Sequence, residues 1–195
     1  MEAQLGLFEE EVIPLVKKKV IEYFLVIKPD RHLMDLITNS KQSAGCIVPL
    51  SRENRWLPPH LSLIRMHVRL DSDEAMIHLV SEALKEVTRF KITLRGLQVY
   101  NHARELSSLV LGVGNPGQVE ALYTSLAQKF KLKPTAYVPH IPILKTLNKK
   151  DLAALYNFMP QFDHRGSFLC DKVLLLKKSG EEGSRYRLLH EVALK

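Results

Sequence analysis

Cysteine is scarce: the 195 residues hold two, Cys46 and Cys170. They stand far apart and no Cys-x-x-Cys occurs, which removes zinc-knuckle and dithiol redox motifs from consideration. Two isolated thiols fit a reducing compartment, so a cytoplasmic protein is expected. No apolar run reaches the ~18 residues of a membrane span. The opening "MEAQLGLFEEEVIPLVKKK" carries acids early and has no apolar stretch followed by small residues, so it does not read as a secretory signal. Acids are also outnumbered: 21 Asp and Glu against 28 Lys and Arg give a formal net charge of +7. That sign favours an anionic partner such as RNA, a nucleotide or a phosphate ester. The excess is scattered, from Lys17-Lys18-Lys19 to Lys177 and Lys178, so solubility accounts for it equally well.

What is present is an ordinary globular composition, 46% hydrophobic and 25% charged, on a chain sized for one domain or two small lobes. Residues 1–18 read as an N-terminal extension, and residues 19–195 as a single bilobal unit. "VIEYFLVIKP" is β-branched and aromatic up to its proline, a buried strand. A helix is expected from Asp30, with Leu33, Leu36 and Ile37 on one face. "SAGCIVPLSRENRWLPP" (43–59) is expected to be irregular, and 60–68 to be a second strand. Residues 71–87 follow as a helix with Asp and Ser as cap candidates. Two adjacent strands are expected over 90–101 and 107–114. Asn115-Pro116 then starts a helix carrying Val119, Leu122, Tyr123, Leu126 and Phe130 inward. "YVPHIPILKT" is the next strand. Residues 148–159 form a helix with Leu152, Leu155 and Tyr156 inward. The tail holds two strands flanking a Ser179–Gly183 hairpin.

The second half therefore repeats the plan of the first, including one unusual phrase. "PPHLSLIRM" (58–66) and "VPHIPILKT" (138–146) both set a histidine after proline at the head of an apolar strand. Side chains alternate along a strand, so His60 and Ser62 share one face, and His140 and Pro142 share one face. The same alternation sends Arg65 and Lys145 to the opposite face. If a pseudo-twofold relates the halves, the two histidine faces meet across a cleft. Two imidazoles titrating near ~6.5 supply a general base and a general acid together at neutral pH. Phosphodiester chemistry needs both, and a hydroxyl two residues on can donate to the phosphate as charge builds.

The two phrases resemble the paired His-x-Ser/Thr motifs of the 2H phosphoesterases, a group that includes LigT-like 2'-5' RNA ligases and RNA 2',3'-cyclic phosphodiesterases. The resemblance runs from about Glu22 to the C-terminus and takes in "EYFLVIKP", "FKITLRGLQVYN" with "SSLVLGVG", and "FLCDKVLLLKKSG". It implies an α+β bilobal fold with antiparallel sheets flanking a central groove and helices outside. It also implies a 2',3'-cyclic or 2'-5' phosphodiester of RNA or nucleotides as substrate; the two-histidine chemistry requires no metal, and a monomer without a cofactor is expected. By position His60 and His140 become the acid–base pair and Ser62 a phosphate donor. Pro142 departs from the pattern, since it offers neither a hydroxyl nor an N–H. That departure keeps a second expectation alive: a catalytically weakened two-histidine fold that binds RNA ends or nucleotides. The remaining six histidines are expected to be structural or surface residues. "GVGNPG" (112–117) fits a dinucleotide fingerprint, but no acid follows near the end of the next strand, and Pro116 is better placed as a first-turn residue.

Overall fold

The computed structural model describes residues 20–68, 72–133, 135–179 and 183–195. The expected extension over 1–18 and the tip of the Ser179–Gly183 hairpin lie outside these residues. Strand β1 (Ile21–Ile27) leads to helix α1 (Arg31–Gly45), which starts where the Asp30 carboxylate accepts the Leu33 N–H at 2.8 Å. A five-residue helix, α2 (Arg52–Trp56), is capped by Ser51 and precedes β2 (Leu61–Val68). Ser72 caps α3 (Asp73–Leu84). Strands β3 (Phe90–Asn101) and β4 (Ser107–Val113), helix α4 (Gly117–Lys129) and strand β5 (His140–Leu147) come next. Asn148 caps α5 (Lys149–Leu155), and the chain closes with β6 (Gly166–Cys170), β7 (Lys172–Ser179) and β8 (Arg187–Ala193).

All strand pairs are antiparallel, in two four-stranded sheets ordered β2-β1-β7-β8 and β5-β4-β3-β6. The α+β class with two antiparallel sheets and accompanying helices is as the sequence implied. The lobes are not consecutive halves, however: the first sheet takes its strands from both ends of the chain. In each sheet the strand headed by a histidine lies at the edge and pairs with the strand before it. A helix-bearing connection joins the two. The edges β2 and β5 approach one another, which brings the two motifs together.

One apolar core joins both sheets to their helices. Tyr23, Leu25 and Ile27 of β1, Leu111 of β4, Ile141 of β5, Val80 of α3 and Leu126 of α4 are fully buried within it. Each such side chain contributes roughly 1.5–3 kcal/mol. The opposite face of β1 carries a smaller cluster, Phe24 and Val26 with Leu174 of β7, on the side where the first motif lies.

Three expectations need correction. The stretch 43–59 is not irregular throughout, because α1 runs to Gly45 and α2 occupies 52–56. The tail holds three strands: β7 and β8 pair antiparallel on either side of the expected hairpin, and β6 precedes them as a separate strand. Asp171 alone separates β6, paired with β3, from β7, paired with β1, so the chain changes sheets across one residue. Tyr156 is 71% exposed, because α5 tightens after Leu155 into a 3-10 segment (Tyr156–Phe162) that turns Phe162 inward instead. Among the described residues no helix is long and apolar enough to cross a membrane.

Candidate active site

The prolines of the two motifs explain how the histidines are mounted. Pro59 and Pro139 precede His60 and His140, and a residue before proline is driven to extended geometry. In both copies the ring Nδ1 then lies 2.8 Å from the carbonyl oxygen two residues back, Pro58 for His60 and Val138 for His140. A carbonyl only accepts, so each Nδ1 carries its proton and each neutral ring presents a bare Nε2. His60 is 7% exposed, and its buried Nε2 has no hydrogen-bond partner. Buried polar atoms rarely stay unpaired in a folded chain. His140 is half-buried, with the Tyr100 ring against it at 5.0 Å between centroids.

Both motif strands are bulged at the same place, and this overturns the simple alternation. In β2, Ser62 lies opposite Val26 and Ile64 opposite Leu25, so Leu63 is an extra residue. In β5, Pro142 lies opposite Val110 and Leu144 opposite Leu109, so Ile143 is extra. A bulge shifts every later side chain to the other face. Arg65 therefore joins the face of Ser62, with its guanidinium carbon 4.4 Å from the centre of the Phe24 ring. Phe24 in turn meets the His60 ring edge-on at 5.4 Å. Lys145, expected to point away, lies close enough to both imidazoles for its charge to act on each. Its side chain is 25% exposed and its ammonium sits 3.2 Å from Glu53 of α2. The spacing His-x-x-x-x-Arg and His-x-x-x-x-Lys was the signal for these two residues.

Loop contacts fasten the motifs to one another. Both amide atoms of buried Asn54 pair with the backbone of Lys145, at 2.8 and 2.9 Å, which ties α2 to β5. The Tyr137 hydroxyl donates to the Ser62 carbonyl at 2.7 Å, tying the approach to β5 onto β2. Lys41, buried in α1, donates to the Leu57 carbonyl at 2.7 Å and so holds the segment whose Pro58 carbonyl holds His60. Ser62, Arg65 and His140 together line a cavity of about 530 Å³ that continues toward Lys133, Thr135 and Tyr123. His60 is set deeper and is not among that cavity's walls.

Burial and like charge both act on the imidazoles. Burial is the main reason the His60 pKa falls from 6.5 to about 4; the Pro58 hydrogen bond opposes it, and Lys145, Arg65 and Lys41 push it further down. His140 is lowered too, again chiefly by burial, with Lys145 and His102 adding to it. Without an anion present both rings are neutral at pH 7.

Pro142 is buried on the edge strand, beside the bulge, where a missing N–H is tolerated. The "GVGNPG" stretch ends β4 and opens α4. Asn115 there accepts the Thr93 N–H at 2.7 Å and donates to the Lys91 carbonyl at 2.8 Å, so the turn serves β3. Gly112 lies opposite His140, and a side chain on it would strike Gln98, whose Oε1 would be 2.5 Å from the added carbon. His164 meets Ser40 at 2.7 Å and His102 meets Ser108 at 2.8 Å, both fold-holding contacts. Among the described residues no group of three or more His, Cys, Asp or Glu side chains is placed to share a metal ion.

The family model of the 2'-5' RNA ligase superfamily matches residues 50–182. The chain belongs to this superfamily. Solved structures agree on the fold. E. coli LigT complexed with 3'-AMP superposes with a TM-score of 0.64 at 20% identity, over 90% of this chain and 99% of that one. TT0787 of Thermus thermophilus gives 0.62 at 12% identity, over 89% and 97%. A structure described as a phosphoesterase gives 0.60 at 18% identity, over 90% and 99%. No curated protein matches the sequence. Membership of the superfamily points to a phosphodiester-processing enzyme, and both motifs fall inside the matched region.

Proposed function

We propose that the protein is a metal-independent phosphoesterase acting on 2',3'-cyclic or 2'-5' phosphodiesters of RNA or nucleotides. The observation that carries this reading is the duplicated mounting of His60 and His140, each with Nδ1–H held by the carbonyl two residues back, together with the buried, unpartnered Nε2 of His60. Groups whose environments push their pKa values apart divide naturally into base and acid. His60, pulled down to about 4, is the base; His140, less depressed, is the acid. For a cyclic phosphate, water attacks phosphorus and gives its proton to His60 Nε2. The bond from phosphorus to the 2' or 3' ribose oxygen breaks, and that oxygen takes the proton of His140 Nε2–H. Ser62 donates to a phosphate oxygen, while Arg65 and Lys145 offset the developing charge. The anion itself favours the protonated His140 that the acid role requires. The free thiols Cys46 and Cys170 support a cytoplasmic site of action.

The test is hydrolysis of a nucleoside 2',3'-cyclic phosphate in the presence of EDTA. Turnover should persist, and His60→Ala and His140→Ala should each remove most of it. A requirement for added Mg²⁺ or Zn²⁺, or survival of either substitution, would contradict the mechanism. Pro142 favours a second reading, a two-histidine fold that binds RNA ends or nucleotides without efficient turnover. Tight nucleotide binding with no hydrolysis would decide for it.

A further inference from the structure

Trp56, the single tryptophan of the chain, is 75% exposed. It stands on α2 and forms a wall of two cavities. One, of about 660 Å³, is shared with Lys41, Arg55 and Pro58; the other, of about 500 Å³, with Arg52, Arg185 and Tyr186. Leaving an indole face in water forfeits the gain of burying it, so an exposed tryptophan between two cavities calls for an occupant. The charge around it narrows the choice. Arg52, Arg55 and Arg185 are exposed, and none forms an ion pair with the described residues. Glu53, the acid among these described walls, is engaged by Lys145.

This surface is linked to the candidate site through packed residues. Pro58, a wall of both cavities, supplies the carbonyl that holds His60. The Tyr186 ring lies 5.4 Å from Phe24, which packs on His60. We propose that Trp56 and its flanking arginines form a stacking platform for single-stranded RNA, binding a base beyond the scissile phosphodiester. The preferred substrate is then an oligonucleotide rather than a mononucleotide. The inference rests on the phosphodiesterase reading above. An open indole face accepts any base, and the arginines meet the backbone phosphates on either side.

The lone tryptophan also reports on its own occupancy. A hexaribonucleotide ending in a 3'-phosphate should quench Trp56 fluorescence and bind at least about 10-fold tighter than a nucleoside 3'-phosphate, with affinity falling as salt rises. Trp56→Ala should raise KM about 10-fold for an oligonucleotide ending in a 2',3'-cyclic phosphate, and leave kcat/KM on the cyclic mononucleotide unchanged. Trp56→Phe should recover most of the loss. Equal affinity for hexamer and mononucleotide, or equal damage by Trp56→Ala to both substrates, overturns the proposal. So does an equal quench by inorganic polyphosphate, which has charge but no bases. A wild-type protein that hydrolyses neither substrate overturns the phosphodiesterase reading instead, and the quench still decides the platform.

Discussion

His60 is a buried imidazole with positive charge around it. Its pKa falls from 6.5 to about 4 in the folded chain, because burial and three nearby cations disfavour the imidazolium. The unfolded chain therefore takes up a proton near pH 6.5 that the folded chain refuses until about pH 4. Where the unfolded state binds more protons, stability rises with pH. The stabilisation of the neutral ring is full above pH 6.5 and is lost as pH falls from there toward 4. At 1.36 kcal/mol per pH unit the whole window is worth about 3 kcal/mol. His60→Gln removes the titration. Urea unfolding of wild type and variant, at intervals from about pH 7.5 to 4.5, isolates it, because other titrating groups cancel in the difference. Relative to the variant, wild type should lose about 2–3 kcal/mol across that range. On the proposed mechanism the same depressed pKa sets the acid limb of activity: kcat/KM should rise as pH increases past about 4 and fall again at a pH below 6.5, as His140 loses its proton. A wild-type-minus-variant difference that stays flat from pH 7.5 to 4.5 would mean that His60 titrates as in an open chain. The assignment of His60 as base would then fail.

Arg65→Gln should lower kcat/KM on a cyclic phosphate by roughly 10²-fold, the scale of a lost transition-state donor, with little change in thermal melting. Lys145→Gln removes a positive charge near both imidazoles, so both pKa values should rise and the high-pH limb of the kcat/KM profile should move toward neutrality. Pro142→Thr should raise turnover, by up to about 10²-fold, and Ser62→Ala should lower it. If both of these leave turnover unchanged in folded protein, hydroxyl donation to the phosphate plays no part in the cleft.

The strands and long helices were legible because their patterns extend over many residues. Alternation in "FKITLRGLQVYN" marks β3 from end to end, and Asn115-Pro116 marks the start of α4. What escaped was decided by single residues. Nothing in "FLCDKVLLLKK" separates β6 from β7, because Asp171 interrupts an apolar run without a glycine or proline to mark a break. Helix α2 is too short to show a period, although Ser51 followed by Arg-Glu-Asn is a cap signal. The matching placement of the two histidines was legible by repetition. Arg65 and Lys145 were lost because counting along a strand assumes an unbroken pleat, and Leu63 and Ile143 break it.

Those two bulges enlarge the unit that is duplicated. Position five after the histidine is odd, so in a flat strand it faces away from the imidazole; one inserted residue turns it back. The repeated element is therefore six residues long: an imidazole, a hydroxyl position two residues on, a bulge, and a cation. The first copy holds all four in His60, Ser62, Leu63 and Arg65. The second holds His140, Ile143 and Lys145 but sets Pro142 at the hydroxyl position. What it lacks is a directional hydrogen bond, not charge. On the proposed mechanism Arg65 and Lys145 still supply charge to a phosphate, whereas a hydroxyl aimed at a phosphate oxygen acts mainly as charge grows on that oxygen. An interaction missing only in the transition state appears in kcat and leaves KM alone. Comparison of wild type with Pro142→Thr should thus show a change in kcat at nearly constant KM. A change confined to KM would place the substituted side chain on the bound substrate and not on the reacting phosphate.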